Sequence, residues 1–297
     1  MKILVIGASG FIGNACFSYF SQKAETVGID RINTSSDTII IDDGLNVIPA
    51  LIDKKFDVIL NCAGSSNIQN SFSNTDNDLK LNVTFVKDLL ELVRTHSPAT
   101  KVINLSSAAV YGDPKNLPIK ETDPCNPLSP YGFHKQQSEQ IIKEYHQKFN
   151  LNTLSVRIFS AYGPGLKRQF FYDLFSKFNS GNNNVDLYGT GKESRDFVFI
   201  SDIVDALDIL INKGSFKGEI YNVASGKESF INATAELFSS ITGYTGNLKF
   251  TNEHIEGYPI NWRADISKIN AIGFSPKIEL QEGLKLYYSW LKKEQVK

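Results

Sequence analysis

Tyr131 and Lys135 stand four residues apart in Ser129-Pro130-Tyr131-Gly132-Phe133-His134-Lys135. Ser129 suits a helix N-cap and Pro130 the first helical position, so the two side chains fall on one helical face. A free phenol, with a pKa of about 10, is a poor base at neutral pH, but a neighbouring ammonium and an oxidised nicotinamide each favour its ionised form. Upstream, Asn104-Leu-Ser106-Ser107-Ala-Ala-Val-Tyr111-Gly112 ends an expected strand with hydroxyls. A phenolate beside such a hydroxyl can take an alcohol proton as hydride leaves the same carbon. Ser107, Tyr131 and Lys135 are therefore the expected catalytic group.

Such chemistry needs a hydride acceptor, and the N-terminus offers a place for one. Gly7-Ala-Ser-Gly10-Phe11-Ile12-Gly13 follows an apolar run directly and opens a helix, where backbone N–H groups and the helix dipole hold a pyrophosphate. Asp30 ends the second expected strand, where a carboxylate accepts hydrogen bonds from an adenosine ribose and repels a 2'-phosphate; this favours NAD over NADP, with Arg31 beside it. Asp42 and Asp43, Cys62-Ala63-Gly64 and Ile158 sit at later strand ends, the ligand-binding edge of an open α/β sheet. With Phe11 and Ile12, these residues complete the expected cofactor contacts.

The elements that must position these groups are legible as periodicity. Ile3 to Ile6, Thr26 to Asp30, Thr38 to Ile41, Val58 to Cys62, Lys101 to Leu105 and Thr153 to Ile158 read as strands alternating with helices. That predicts an α/β, Rossmann-type doubly wound parallel sheet. Asp76 to Arg94 carries Leu79, Val83, Val86, Leu89, Leu90 and Val93 at the spacing of one buried helical face. Residues 1–165 are expected to form the cofactor domain and 166–297 mainly a smaller α/β substrate lobe, with a strand near 219–224 returning to the first sheet.

Composition removes several alternatives. With 31 basic and 32 acidic residues the net charge is -1, which argues against nucleic acid or anionic membrane as the partner. Three cysteines give neither a disulfide framework nor a zinc ribbon, and His96, His134, His146 and His254 show no metal-ligand spacing, so no metal site is expected. No apolar run reaches membrane-spanning length, and a cytoplasmic location is expected. Phe170-Phe171-Tyr172, Phe175 and Phe178 fit a core stripe better than a base-stacking site.

Taken together, these motifs resemble the extended short-chain dehydrogenase/reductases of the NAD-dependent epimerase/dehydratase family, over nearly the whole chain. The resemblance to UDP-glucose 4-epimerase-like members implies Gly7, Gly10 and Gly13 on the pyrophosphate, Asp30 on the ribose and Asp42 near adenine. It also implies Tyr131 as base, Lys135 on the nicotinamide ribose and Ser107 on the substrate oxygen. Leu187-Tyr-Gly-Thr-Gly-Lys-Glu-Ser-Arg195-Asp196-Phe resembles the segment carrying a diphosphate-binding arginine, which makes Arg195 the candidate and Arg263 a second one. Ser160 stands where the family has a diphosphate-contacting asparagine. Ala108 and Ala109 stand where its dehydratases have an Asp-Glu pair, and without that carboxylate a 4,6-dehydratase is disfavoured. The expectation is an NAD-dependent nucleotide-sugar epimerase, first of all a 4-epimerase working through a 4-keto sugar. An NAD(P)H-dependent reductase of nucleotide-linked 4-keto sugars and a catalytically silent NAD sensor are the alternatives. A homodimer through the helices of 76–94 and 131–148 is also implied.

Overall fold

A computed structural model describes residues 1–31, 39–41 (backbone only), 54–253 and 255–295. Strand β1 (Lys2–Ile6) runs into the glycine turn and helix α1 (Phe11–Phe20). Strands β2 (Glu25–Asp30), β3 (Ile39–Ile41), β4 (Val58–Asn61), β5 (Lys101–Ser107) and β6 (Thr153–Ile158) follow, each within two residues of its expected bounds. With β11 (Lys217–Val223) they form one sheet in the order β11-β6-β5-β4-β1-β2-β3, every neighbouring pair parallel. A parallel sheet is covered on both faces, which is why Ile3, Leu4, Val5 and Ile6 are all fully buried with no polar alternation. The strand order reverses between β1 and β4, and ligands of open α/β sheets bind at such a switch point, off the strand C-termini.

One face is packed by α4 (Phe85–His96) and α5 (Pro130–Phe149), whose Phe85, Val86, Leu89, Leu90, Val93 and Ile142 join Leu4, Ile6, Ile59 and Val102. Ahead of α4 lie α2 (Ile68–Ser73), α3 (Thr75–Leu79) and a π turn, Lys80–Thr84. This corrects the expected continuous helix. A π turn carries one more residue than an α turn, so the register rotates: Leu79, expected on the buried face, is 38% exposed, while Asp78 and Asn82 are 2% and 1% exposed.

The opposite face is packed by α1 and by α7 (Ile200–Lys213), whose Ile203, Leu207 and Leu210 meet Ile3, Val5 and Leu60. Between β6 and α7 the chain forms β7 (Ser160–Tyr162), α6 (Gln169–Phe178), β8 (Asn184–Leu187), β9 (Ser194–Arg195) and β10 (Phe197–Phe199). After β11 come β12 (Ser229–Phe230), α8 (Ile231–Thr242), β13 (Asn247–Phe250), α9 (Ser267–Asn270) and α10 (Leu280–Gln295). Small two-stranded pairings, β10 with β7, β12 with β9 and β13 with β8, tie these later segments together. Phe171 and Phe175 are core residues there, packed with Phe197 and Phe238.

Helix α5 is fastened to the sheet by a buried ion pair. Glu139 accepts from Arg157 Nε at 2.9 Å and Nη2 at 2.7 Å, and from Ser106 Oγ at 2.5 Å. Its start is set by Ser129 Oγ, which accepts from Gly132 N at 3.1 Å, and by Pro130 in the first turn.

Candidate active site

The C-terminal ends of β1, β4, β5 and β6 open into a cavity of about 710 Å³ that continues toward the later segments. Gly10, Phe11, Ile12 and Gly13 line it from the glycine turn, Cys62, Ala63 and Gly64 from the end of β4, and Ile158 from the end of β6. Ser107, Tyr131 and Lys135 line it from β5 and α5, and Ser160 and Arg195 from the far side.

The glycine turn is shaped for close backbone approach. Gly7 has φ +77° and donates to Ile29 O at 2.8 Å. A Cβ on Gly13 would lie 2.0 Å from Gly7 O, so no other residue lets α1 start this close to β1. Asp30 braces the turn, its Oδ2 accepting from Ser9 N and its Oδ1 from Arg31 N, both at 2.7 Å. Asp42 and Asp43 lie outside the described residues.

Tyr131 is 7% exposed. Burial pushes its phenol above the usual range; the hydrogen bond with Ser107 opposes this, the charge of Asp78 adds to it, and that of Arg168 opposes it. Ser107 Oγ also accepts from Ala109 N at 3.1 Å. Lys135 shares the helical face but is turned to the strand ends: Nζ donates to Leu105 O at 2.8 Å. A Cβ on Gly64 would lie 3.2 Å from that Nζ and 2.6 Å from Asn82 Oδ1. Arg168 is one positive charge that lowers the phenol's pKa here, and Lys135 lies at the floor between β4 and β5.

Burial pushes Lys135 down to about 8, against the opposing pull of Asp78, Glu139 and Cys62. A lysine whose folded pKa lies below its unfolded value disfavours the fold while both states are protonated, and that cost fades as pH rises from about 8 toward 10.5. Lys135→Met is accordingly expected to raise the stability of the cofactor-free protein at pH 7 by up to about 3 kcal/mol. Chemical denaturation of both proteins at pH 7 and pH 10 checks this; a gap that does not narrow at pH 10 contradicts it.

Asn82, Asp78 and Arg168 escaped the sequence reading. Asn82 is fully buried in the π turn, and neither side-chain polar atom has a partner among the described residues. Its signal was a polar residue inside an apolar helical stripe, but only the π turn aims it at Gly64. Arg168 Nη2 donates to Ser66 Oγ at 2.6 Å at the cavity wall. His134 Nδ1 meets Asp78 Oδ2 at 2.7 Å with both residues buried.

Arg195 presents its guanidinium over the Trp262 ring, 5.6 Å from the centroid, and Nη1 donates to Ser194 O at 2.7 Å and Ile260 O at 3.1 Å. Burial pushes its pKa down to about 10. Its chain neighbour Asp196 turns away to accept from Ser225 N and Oγ, Gly226 N and Ala264 N. Arg263, in contrast, does not line the cavity. Its backbone oxygen accepts from Ile119 N at 2.8 Å, within a segment fixed by Trp262 and Ala264. Cys62 lines the cavity.

The family model described as "NAD dependent epimerase/dehydratase family" matches residues 3–224. An uncharacterized UDP-glucose epimerase of Bacillus subtilis, YtcB, is 30% identical over 308 residues that cover 96% of each chain. A UDP-glucuronic acid 4-epimerase from Bacillus cereus, in complex with UDP-glucuronic acid and NAD, superposes with a TM-score of 0.90 at 26% identity over 99% of this chain and 100% of that one. A UDP-N-acetylglucosamine 4-epimerase from Methanobrevibacter ruminantium, in complex with UDP-N-acetylmuramic acid, does so with a TM-score of 0.90 at 25% identity over 99% and 98%.

Proposed function

The chain belongs to the NAD dependent epimerase/dehydratase family, and from that premise we propose that it is an NAD-dependent nucleotide-sugar 4-epimerase. The observation that carries this reading is the convergence of the glycine turn, Ser107, Tyr131 and Lys135 on one cavity with a guanidinium, Arg195, across it. The residues fit the cofactor: the cradle at Gly7 and Gly13 would take a pyrophosphate against bare backbone, Asp30 would accept from the adenosine ribose, and Lys135 would hold the nicotinamide ribose. Bound NAD supplies a two-electron acceptor that returns the same hydride within one turnover. Tyr131 Oη takes the proton of the sugar C4 hydroxyl while Ser107 Oγ holds the sugar oxygen, and the same phenol returns a proton when C4 is reduced on its other face. Proton and hydride are both restored, so no net cofactor is consumed.

Arg195 holds the diphosphate with forked donors, and residues 166–297 supply most of the nucleotide-sugar contacts, with Ser160 making the shorter contact left by a missing amide. Ala108 and Ala109 are buried beside Ser107 and provide no carboxylate for eliminating water, which separates this site from a dehydratase. Exposed Leu79, Phe133 and Phe149 on the α3, α4 and α5 side support a homodimer through that face. Among the described residues no helix is long and apolar enough to cross a membrane.

The test is to incubate the protein with NAD, and separately with NADH and NADPH, across a panel of UDP-, dTDP-, GDP- and CDP-sugars and their 4-keto derivatives, following nicotinamide absorbance together with product identity. An isomeric product without net change in nicotinamide is expected. Stoichiometric loss of NADH with a 4-keto sugar, giving a product heavier by two hydrogens, identifies a reductase and overturns the epimerase. Binding without turnover across the panel identifies the sensor.

A further inference from the structure

One guanidinium in the cavity has no task in the chemistry above. Among the described residues four cationic side chains line this space, Lys135, Arg168, Lys177 and Arg195. Lys135 is held by Leu105 O, Lys177 Nζ donates to Asp186 O at 2.7 Å, and Arg195 lies over Trp262. Lys167, the chain neighbour of Arg168, lies outside the cavity lining and pairs with Glu294 at 2.8 Å. Arg168 itself is exposed, and its hydrogen bond among the described residues goes to a neutral group, Ser66 Oγ, at 2.6 Å.

Hydrogen bonds place this charge at the Tyr131 end of the cavity. Ser66 stands two residues after Gly64, whose missing side chain leaves room for Lys135 Nζ and Asn82. Five residues after Ser66, Ser71 Oγ on α2 accepts from Tyr131 N at 3.1 Å. The Arg168–Ser66 contact thus joins the start of α6 to a short segment fastened to the backbone of Tyr131. Gln169, the first residue of α6 and also part of the cavity wall, has φ +67°, a left-handed backbone that a side-chain-bearing residue seldom adopts. Strain of this kind collects at ligand clamps.

Resting on the reading that Tyr131 and Ser107 hold the sugar C4 oxygen, we propose that Arg168, with Ser66, is a specificity site for a carboxylate carried by the sugar beside C4, so that the substrates are acidic nucleotide sugars. Every nucleotide sugar brings a diphosphate, which Arg195 meets. A second guanidinium near the reacting carbon has a counter-charge only when the sugar brings its own. The forked donors of a guanidinium suit the two oxygens of a carboxylate, and a hydroxyl that accepts from Nη2 still has its own proton to donate. Two positions flank C4 and offer such a group: C5, in a uronic acid, and O3, in a carboxylated ether.

The experiment measures Kd by calorimetry on the NAD-loaded protein for two matched pairs, glucuronic acid against glucose and N-acetylmuramic acid against N-acetylglucosamine, each on the nucleotide that the panel above selects. The acidic member of one pair is expected to bind about 10–100-fold more tightly than its neutral partner, and that pair identifies which position carries the carboxylate. Arg168→Gln is expected to bring the ratio to within a few-fold of one. Arg168→Lys, which keeps the charge without the fork, and Ser66→Ala, which loses one donor, should each retain part of it. Both members of a pair are measured on the same protein, so a general loss of folded material leaves the ratio in place; if Arg168→Gln fails to fold, wild type and Ser66→Ala still decide. Equal affinities within both pairs overturn the proposal. So does an Arg168→Gln protein that keeps the wild-type ratio while kcat falls by one factor on acidic and neutral sugars alike, because the charge then serves only the phenol. A preference for the acidic sugar without isomeric product supports the carboxylate site and removes the epimerase reading, whereas a panel that selects no nucleotide overturns both.

Discussion

Tyr131→Phe is expected to lower kcat for epimerisation by about 10³-fold while leaving NAD binding within a few-fold of wild type. Tyr131 and Ser107 line the same cavity, and Ser107 lowers the phenol's pKa against the effect of burial. Phenylalanine preserves the ring and its packing beside Ala109 and Trp262 and removes only the oxygen, so a loss in kcat reads the proton transfer and not a collapse of α5. The phenol starts from an unfavourable position, because burial pushes its pKa up, and it is the hydroxyl of Ser107 and the charge of Arg168 that pull the other way. The measurement is kcat and KM for the turned-over sugar nucleotide together with NAD affinity from quenching of protein fluorescence. A kcat within tenfold of wild type removes Tyr131 from the proton path.

Glu139→Leu is expected to carry the largest stability cost, about 3–5 kcal/mol, because it leaves the Arg157 guanidinium buried without its counter-charge. Both side chains are 4% exposed, and two of the guanidinium nitrogens face Glu139. The remaining donors reach Glu121 O at 3.2 Å and Cys125 Sγ at 3.3 Å, neither of which is charged. In a chain of this length that corresponds to a fall in Tm of roughly 10 °C. The double change Glu139→Leu with Arg157→Leu should recover much of the loss, since two apolar side chains need no counter-charge. Thermal denaturation of the three proteins checks both statements. A double variant no more stable than Glu139→Leu would place the loss in packing or in the Ser106 hydroxyl, not in the stranded cation.

What the sequence determined by itself was whatever depends on neighbours along the chain. Continuous apolar runs such as Ile3 to Ile6 mark strands buried on both faces, and the glycine spacing after the first of them marks a turn that only bare backbone can make. Ser129 and Pro130 start α5 where local capping chemistry says a helix must start, which fixes Tyr131 and Lys135 on one face. The α/β class and the strand at 217–223 follow from the same local signals.

Tertiary structure alone decided the rest, because the groups concerned come from segments far apart and meet only through packing. Asp78 and His134 are 56 residues apart, and no periodicity in either helix says that they touch. Ser66 and Arg168 are separated by 102 residues and meet at the cavity wall. The backbone of Arg263 meets Ile119, 144 residues before it in the chain, a pairing that no local signal announces. The π turn matters most. By adding one residue to a helical turn it leaves Leu79 exposed, buries Asp78 and aims Asn82 at Gly64, so an apolar stripe read at 3.6 residues per turn misplaces Leu79 while Val86, Leu89, Leu90 and Val93 still pack on the sheet.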